Sequence, residues 1–212
     1  MPVQDLNLQD LRQWALSYVG ASEAQSFYGT RVDKWINYAL IDLFGDFGVE
    51  DKIIGTCVPG YRFIPMPRGF MYEKMVLVNN IQLVYRANPN ELDYLSQGTS
   101  LPDWYTHWGK PMTQLALGPM PPDSTYPLEI WFYRNPNMLL ANADIPEVPP
   151  RFRPALAKKA AAEIILADGL VHLQAKADRL ESEYKRLRDE FLGWYTDESK
   201  NAYTTPTMYM DY

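Results

Sequence analysis

The sequence predicts an α+β protein: a helical bundle with an inserted antiparallel β-rich domain and an extended C-terminal arm. Three observations predict it. Apolar residues recur at helical spacing toward both ends of the chain, while the middle third changes to short β-branched and aromatic runs separated by Pro, Gly, Asn and Asp. After Trp194 the chain turns polar and aromatic without a helical period. The expected organisation is N-terminal bundle helices over 1–50, the β-rich insert over 51–134, a Pro-rich connector over 135–150, C-terminal bundle helices over 151–195 and the arm over 196–212. A chain of 212 residues holds one full core or two small ones.

Taken in order, Asn7 is a good N-cap, and Leu8, Leu11, Trp14, Ala15, Leu16 and Tyr18 follow it on roughly helical spacing, so a first helix lies within 5–19. A second starts near Thr30 and carries Val32, Trp35, Ile36, Ala39, Leu40, Leu43 and Phe44 on one stripe until Gly45 and Gly48 end it. Candidate strands in the insert are 53–58, 61–64, 75–78, 82–85, 104–108, 112–117 and 126–133. Asn79-Asn80 suits a tight hairpin turn because Asn tolerates positive φ, and Gly109-Lys110-Pro111 is a second linker, so the sheet is expected to be antiparallel. Pro119-Met120-Pro121-Pro122-Asp123 makes a rigid turn before the last strand.

Pro136, Pro146, Pro149 and Pro150 exclude a regular helix or central strand from the connector, which is expected to run extended. Pro154 is tolerable in a first helical turn, and Ala155 to Ala167 have high helix propensity up to a break at Gly169. Leu170, Leu173, Ala177, Leu180, Tyr184, Leu187 and Phe191 then alternate steps of three and four, the clearest period in the chain. Its seam is expected to dock on the helix bearing Trp35, Leu40 and Leu43. Between Lys176 and Glu190 five basic residues oppose five acidic ones, which reads as a solvated face.

Composition narrows the function. The net charge is −6 and no run of five or six Lys or Arg occurs, so the electrostatic footprint of a tight nucleic-acid binder is missing. Cys57 stands alone, which rules out an intrachain disulfide and fits a reducing compartment. The opening MPVQDLNLQD lacks a positive stretch followed by an apolar run, and no eighteen-residue apolar stretch follows, so neither secretion nor membrane spanning is expected. Fifteen Tyr and six Trp suit either a core or a surface buried against a partner.

Recognisable chemistry is sparse. His107 and His172 are the only histidines, so neither a His-Glu-x-x-His zinc site nor a His triad with local support can be written. His107 is expected within a packed cluster of Trp104, Tyr105 and Trp108, His172 on the surface, and Cys57 as a buried small hydrophobe. The scattered glycines form no phosphate-binding fingerprint, and carboxylates such as Asp46 and Glu50 have no evident common cleft. No catalytic, cofactor or metal site is expected. The Trp104, Tyr105 and Trp108 cluster keeps a second reading open, a carbohydrate-binding β-sandwich module of a phage or bacterial structural protein.

The insert carries Leu101-Pro102-Asp103-Trp104-Tyr105, the turn Pro121-Pro122-Asp123 and the Tyr-containing strand from Tyr126 to Tyr133, and Pro149-Pro150-Arg151-Phe152 leads into the Ala-rich helix. In these residues and in the order of its elements the chain resembles tailed-phage head-to-tail adaptor (connector, head completion) proteins. Two residues lie between Tyr184 and Leu187, where the family has three between Tyr and Leu. The resemblance implies a homo-oligomeric ring, usually of twelve subunits, below the portal protein and in contact with tail or nozzle proteins. DNA passes its lumen without specific binding, and the protein sits in the virion neck after assembly in the host cytoplasm. It implies no enzyme activity, no cofactor and no membrane. The arm residues Tyr203, Met208, Tyr209, Met210 and Tyr212 are then the expected anchors on the portal or on an adjacent subunit.

Overall fold

Asn7 and Asp10 begin the fold with a reciprocal cap: the Asn7 side chain accepts from the Asp10 N–H at 3.0 Å, and the Asp10 carboxylate accepts from the Asn7 N–H at 3.1 Å. The computed structural model describes residues 6–20, 29–89, 99–109, 113–122 and 126–204, with side chains described to 197 except those of 29 and 30. The chain divides into two compact units, Met1–Asp46 with Pro136–Tyr212, and Phe47–Asn135.

The first unit is helical. Helix α1 (Leu8–Val19) buries Leu8, Leu11, Ala15 and Leu16 and ends at Gly20, whose φ of 79° closes the helix in the left-handed region. Trp14 is exposed. Helix α2 (Gly29–Phe44) buries Val32, Ile36, Ala39, Leu40, Leu43 and Phe44. Helix α3 (Arg153–Ala167) follows a short 3₁₀ turn, with Pro154 in its first turn, and is buried nearly all round by Ala155, Leu156, Ala157, Ala160, Ala161, Ala162, Ile164 and Ile165. Its alanines let α1, α2 and α4 approach closely, so α3 is the central helix of this unit.

Helix α4 (Gln174–Thr204) is where the structure departs most from expectation. Ala177, Leu180, Tyr184 and Phe191 are buried as the seam requires, but they lie chiefly along α3 rather than α2. The Ala-rich α3, most of whose residues are buried, occupies the place assumed for α2. Only near its end does α2 meet α4, where Phe44 packs edge-on against Phe191 at 5.1 Å. Leu170 precedes the helix and Leu173 belongs to a 3₁₀ turn, because Gly169 (φ 62°) resets the chain direction there. The helix also runs past 195, through the first residues assigned to the extended arm. Tyr195 stacks on Phe191 at 5.6 Å, Thr196 Oγ1 donates to the Leu192 carbonyl, and no proline intervenes until Pro206, which biases its predecessor away from helix.

The connector is not simply extended. It forms a closed loop in which Glu147 accepts from the backbone and side-chain N–H groups of Asn137 at 2.9 Å each, and Asp144 accepts from the N–H groups of Leu140 and Ala141. The carbonyls of Asp144 and Asn142 satisfy the N–H groups of Leu8 and Gln9, two orphan donors of α1. Buried Asn37 clamps the loop to α2 by a reciprocal pair with the backbone of Leu139, at 2.8 and 3.0 Å.

The second unit is a pair of packed four-stranded sheets. Sheet A has the order β1 (Val49–Thr56), β8 (Pro127–Arg134), β3 (Phe70–Val78), β4 (Ile81–Gln82). Sheet B has the order β2 (Phe63–Pro65), β7 (Gln114–Gly118), β6 (Trp104–Trp108), β5 (Val84–Tyr85). Val76, Val78, Leu128, Ile130 and Phe132 of sheet A meet Tyr105, Leu115 and Leu117 of sheet B in one core. Asn79 and Asn80, at φ 52° and 61°, make the expected hairpin between β3 and β4.

The strand expected at 82–85 is two strands. The chain leaves sheet A after Gln82, buries Leu83, and enters sheet B at Val84. There β5 pairs with β6 in parallel, a correction to the all-antiparallel expectation. A parallel pair needs a long connection, and 86–103 supplies it. Strands β1 and β3 start four and five residues earlier than their apolar runs do. Their leading charges are paired: Asp51 with Arg134 at 2.6 Å, Lys74 with Glu50 at 2.5 Å, and Lys52 over the Trp131 ring at 4.6 Å.

Candidate functional site

Alternation along β6 decides the fate of the aromatic cluster. Trp104, Thr106 and Trp108 face out of sheet B, whereas Tyr105 and His107 face sheet A, since successive side chains in a strand point to opposite faces. Trp104 and Tyr105 are both buried, so the three aromatics do not form one exposed stacking platform. The Trp104 ring lies flat over Gly118, where a Cβ would meet it at 2.2 Å.

His107 does not sit in a purely aromatic setting either. Its Nε2 lies 2.8 Å from Glu73 Oε2, its Nδ1 lies 3.4 Å from the Tyr85 hydroxyl, and the Tyr105 hydroxyl donates to Glu73 Oε1 at 3.2 Å. Glu73 is opposite Phe132 on the inward face of sheet A, which aims its carboxylate at sheet B. Burial and the adjacent Glu73 charge push the Tyr105 hydroxyl well above the ordinary tyrosine range. The cluster is a polar clasp between the two sheets. Sequence reasoning missed it because its members are 22 to 34 residues apart.

Cys57 is buried beside β1, and His172 is exposed in the turn before α4. Glu50 is held by Lys74. Among the described residues no group of three His, Cys, Asp or Glu could hold a metal ion, and no helix is long and apolar enough to cross a membrane. Of the anchors expected in the arm, Tyr203 falls in the last turn of α4 with its side chain outside the described part, and Met208, Tyr209, Met210 and Tyr212 lie outside the described residues.

The surface features of the second unit are apolar. Ile54 is 67% exposed on the edge strand β1, and Val58 and Tyr61 are more than half or half exposed just after it. Tyr61 packs edge-on against Phe63 at 5.9 Å, and Phe63 lies 5.5 Å from Trp108. A groove of about 240 Å³ opens between the β1 and β2 edges, lined by residues including Cys57, Val58, Tyr61, Phe63 and Ile64. In the first unit, the connector loop presents Met138, Leu140 and Ile145 to solvent. Such apolar surface on ordered elements suits association with other proteins.

The fold is a helical unit carrying an inserted two-sheet unit, with a charged face on α4 and exposed apolar residues on both units. The family model described as SU10 adaptor protein matches residues 1–208, and the chain belongs to that family of phage head-to-tail adaptors. Its role is that of a structural phage protein whose partners are other head and tail proteins and whose setting is the virion. No curated protein matches the chain.

Proposed function

We propose that the chain is one subunit of a ring, of twelve copies, that sits below the portal, joins head to tail and lets DNA pass without catalysing a reaction. The family match across 1–208 is the observation that carries this reading. The net charge of −6 agrees with it physically, because a lumen that attracted phosphates would slow a passing duplex, whereas repulsion keeps the duplex centred. The C-terminal residues Tyr203, Met208, Tyr209, Met210 and Tyr212 are the proposed anchors, on the portal or on an adjacent subunit. Repeated around a ring, even a weak contact per subunit becomes firm attachment by avidity. Electron microscopy of the full chain mixed with portal rings tests it: added density of matching symmetry on the tail side of the portal is expected. Portal rings that stay bare at saturating chain would overturn the reading.

A further inference from the structure

We propose that the outer edge of β1, with the apolar groove beside it, receives residues 205–212 of a second copy of this chain as an added strand. The inference rests on the reading of the C-terminal segment as an assembly arm and names the surface it binds.

The acceptor is open and shaped for a strand. β1 lies at the end of sheet A, and among the described residues no strand pairs with its other side. It is eight residues long with no proline, and its last three residues, Ile54 to Thr56, are exposed. A bare edge of this kind is a template for main-chain hydrogen bonds from another chain. The groove adds pockets for alternate side chains, with Val58 and Tyr61 at its rim and Phe63 and Ile64 along its wall.

The donor matches in length and pattern. Helix α4 is described to Thr204, and residues 205–212 follow it in the sequence. Extended, they span about 26 Å, the length of an eight-residue strand. Met208, Met210 and Tyr212 then fall on one face, since strand side chains alternate with period two. Two flexible methionines and a tyrosine suit an irregular apolar groove. Pro206, which cannot donate, stands at the start where a strand tolerates it. Each copy gives one segment and receives one, a head-to-tail contact that closes into a ring when the rotation permits.

Disulfide trapping in full-length chains tests the inference. In a Cys57→Ser background, a chain carrying Ile54→Cys, on the outer face of β1, is mixed with one carrying Asp211→Cys, on the donor face that points away from the groove, assembled on portal rings and oxidised. A mixed 54–211 dimer is expected at about ten times the yield of a control pairing Asp211→Cys with Ser182→Cys on the exposed face of α4. Adding Tyr61→Asp to the acceptor is expected to cut that yield about tenfold by spoiling the groove. A yield no higher than the control overturns the inference, as does a double variant that links only within one chain. A parallel pull-down separates the two readings. If truncation after Thr204 abolishes portal attachment while no 54–211 link forms, the arm reading stands and this acceptor is wrong. If attachment survives truncation and no link forms, both fail.

Discussion

Tyr184 shows how one side chain ties local helix chemistry to a distant partner. It sits on the buried seam of α4, and its hydroxyl donates to the Asp42 carboxylate of α2 at 2.5 Å. Burial first, and that bond second, push its hydroxyl well above the ordinary tyrosine range. A group whose folded pKa is raised contributes stability fully present below its unfolded pKa of about 10, and loses it as pH rises beyond. Tyr105 has the same sign. Melting temperature is therefore expected to fall above about pH 10, and Tyr184→Phe to flatten part of that fall in a pH series. At the acid end, the Arg134 bond holds the Asp51 carboxyl low, and Lys158 and then Arg179 hold Glu183 low. Their contributions are present above about pH 4 and vanish as pH falls further, but both groups are largely solvated, so the acid effect is small. Replacing His107, His172 or Cys57 singly with a residue of similar size is expected to leave infectivity largely intact in complementation of a phage lacking this protein. Loss of infectivity with normal folding and assembly would point to chemistry at that residue.

At the scale of elements, α3 decides the bundle and Gly118 decides sheet B. Leu180 is buried against α3, so Leu180→Asp places an unpaired charge there at a cost of several kcal/mol and is expected to abolish folding of the helical unit. Unchanged thermal melting would contradict that. Gly118→Ala drives a methyl into the Trp104 ring, and overpacking of this kind costs about 1–3 kcal/mol. The loss should appear in urea melts and in Trp fluorescence. Much of the element map was legible from local signals. Asn7 announced the start of α1, Gly169 the break before α4, and Asn79-Asn80 the hairpin, because caps and turns are set by residues a few positions apart. The polar starts of β1 and β3 were not legible, since Glu50, Asp51, Lys52 and Lys74 find their partners only across the sheet.

For the whole molecule, the ends of the inserted unit matter. Val49 pairs with Arg134, so the insert's first and last strands run side by side and its two ends emerge together. Such an arrangement lets one unit be inserted into another without separating its flanking segments. Replacing 47–135 with a short Gly-Ser linker is therefore expected to leave the helical unit folded, with retained far-ultraviolet helical signal and cooperative melting. Loss of both would show that the helical unit depends on the insert. Truncation after Thr204 is expected to leave the melting temperature of the free chain nearly unchanged, because the seam of α4 ends well before it, while preventing attachment to the portal.

By itself the sequence determined the α+β class and most helices and strands, because these follow from periodicity and turn residues, and its match to the adaptor family's model showed membership in that family. It also showed the arm's composition, though not what the arm touches. The tertiary structure alone decided which strands share a sheet: Leu83 carries the chain from one sheet to the other, and no local pattern marks that step. It alone placed α3 between the stripes of α2 and α4, since an amphipathic face states a need for burial without naming its partner. The Glu73–His107 clasp and the Asn37–Leu139 clamp arise the same way, from residues 34 and 102 positions apart that meet only after packing. Periodicity is a property of neighbours in the chain, whereas pairing is a property of neighbours in space.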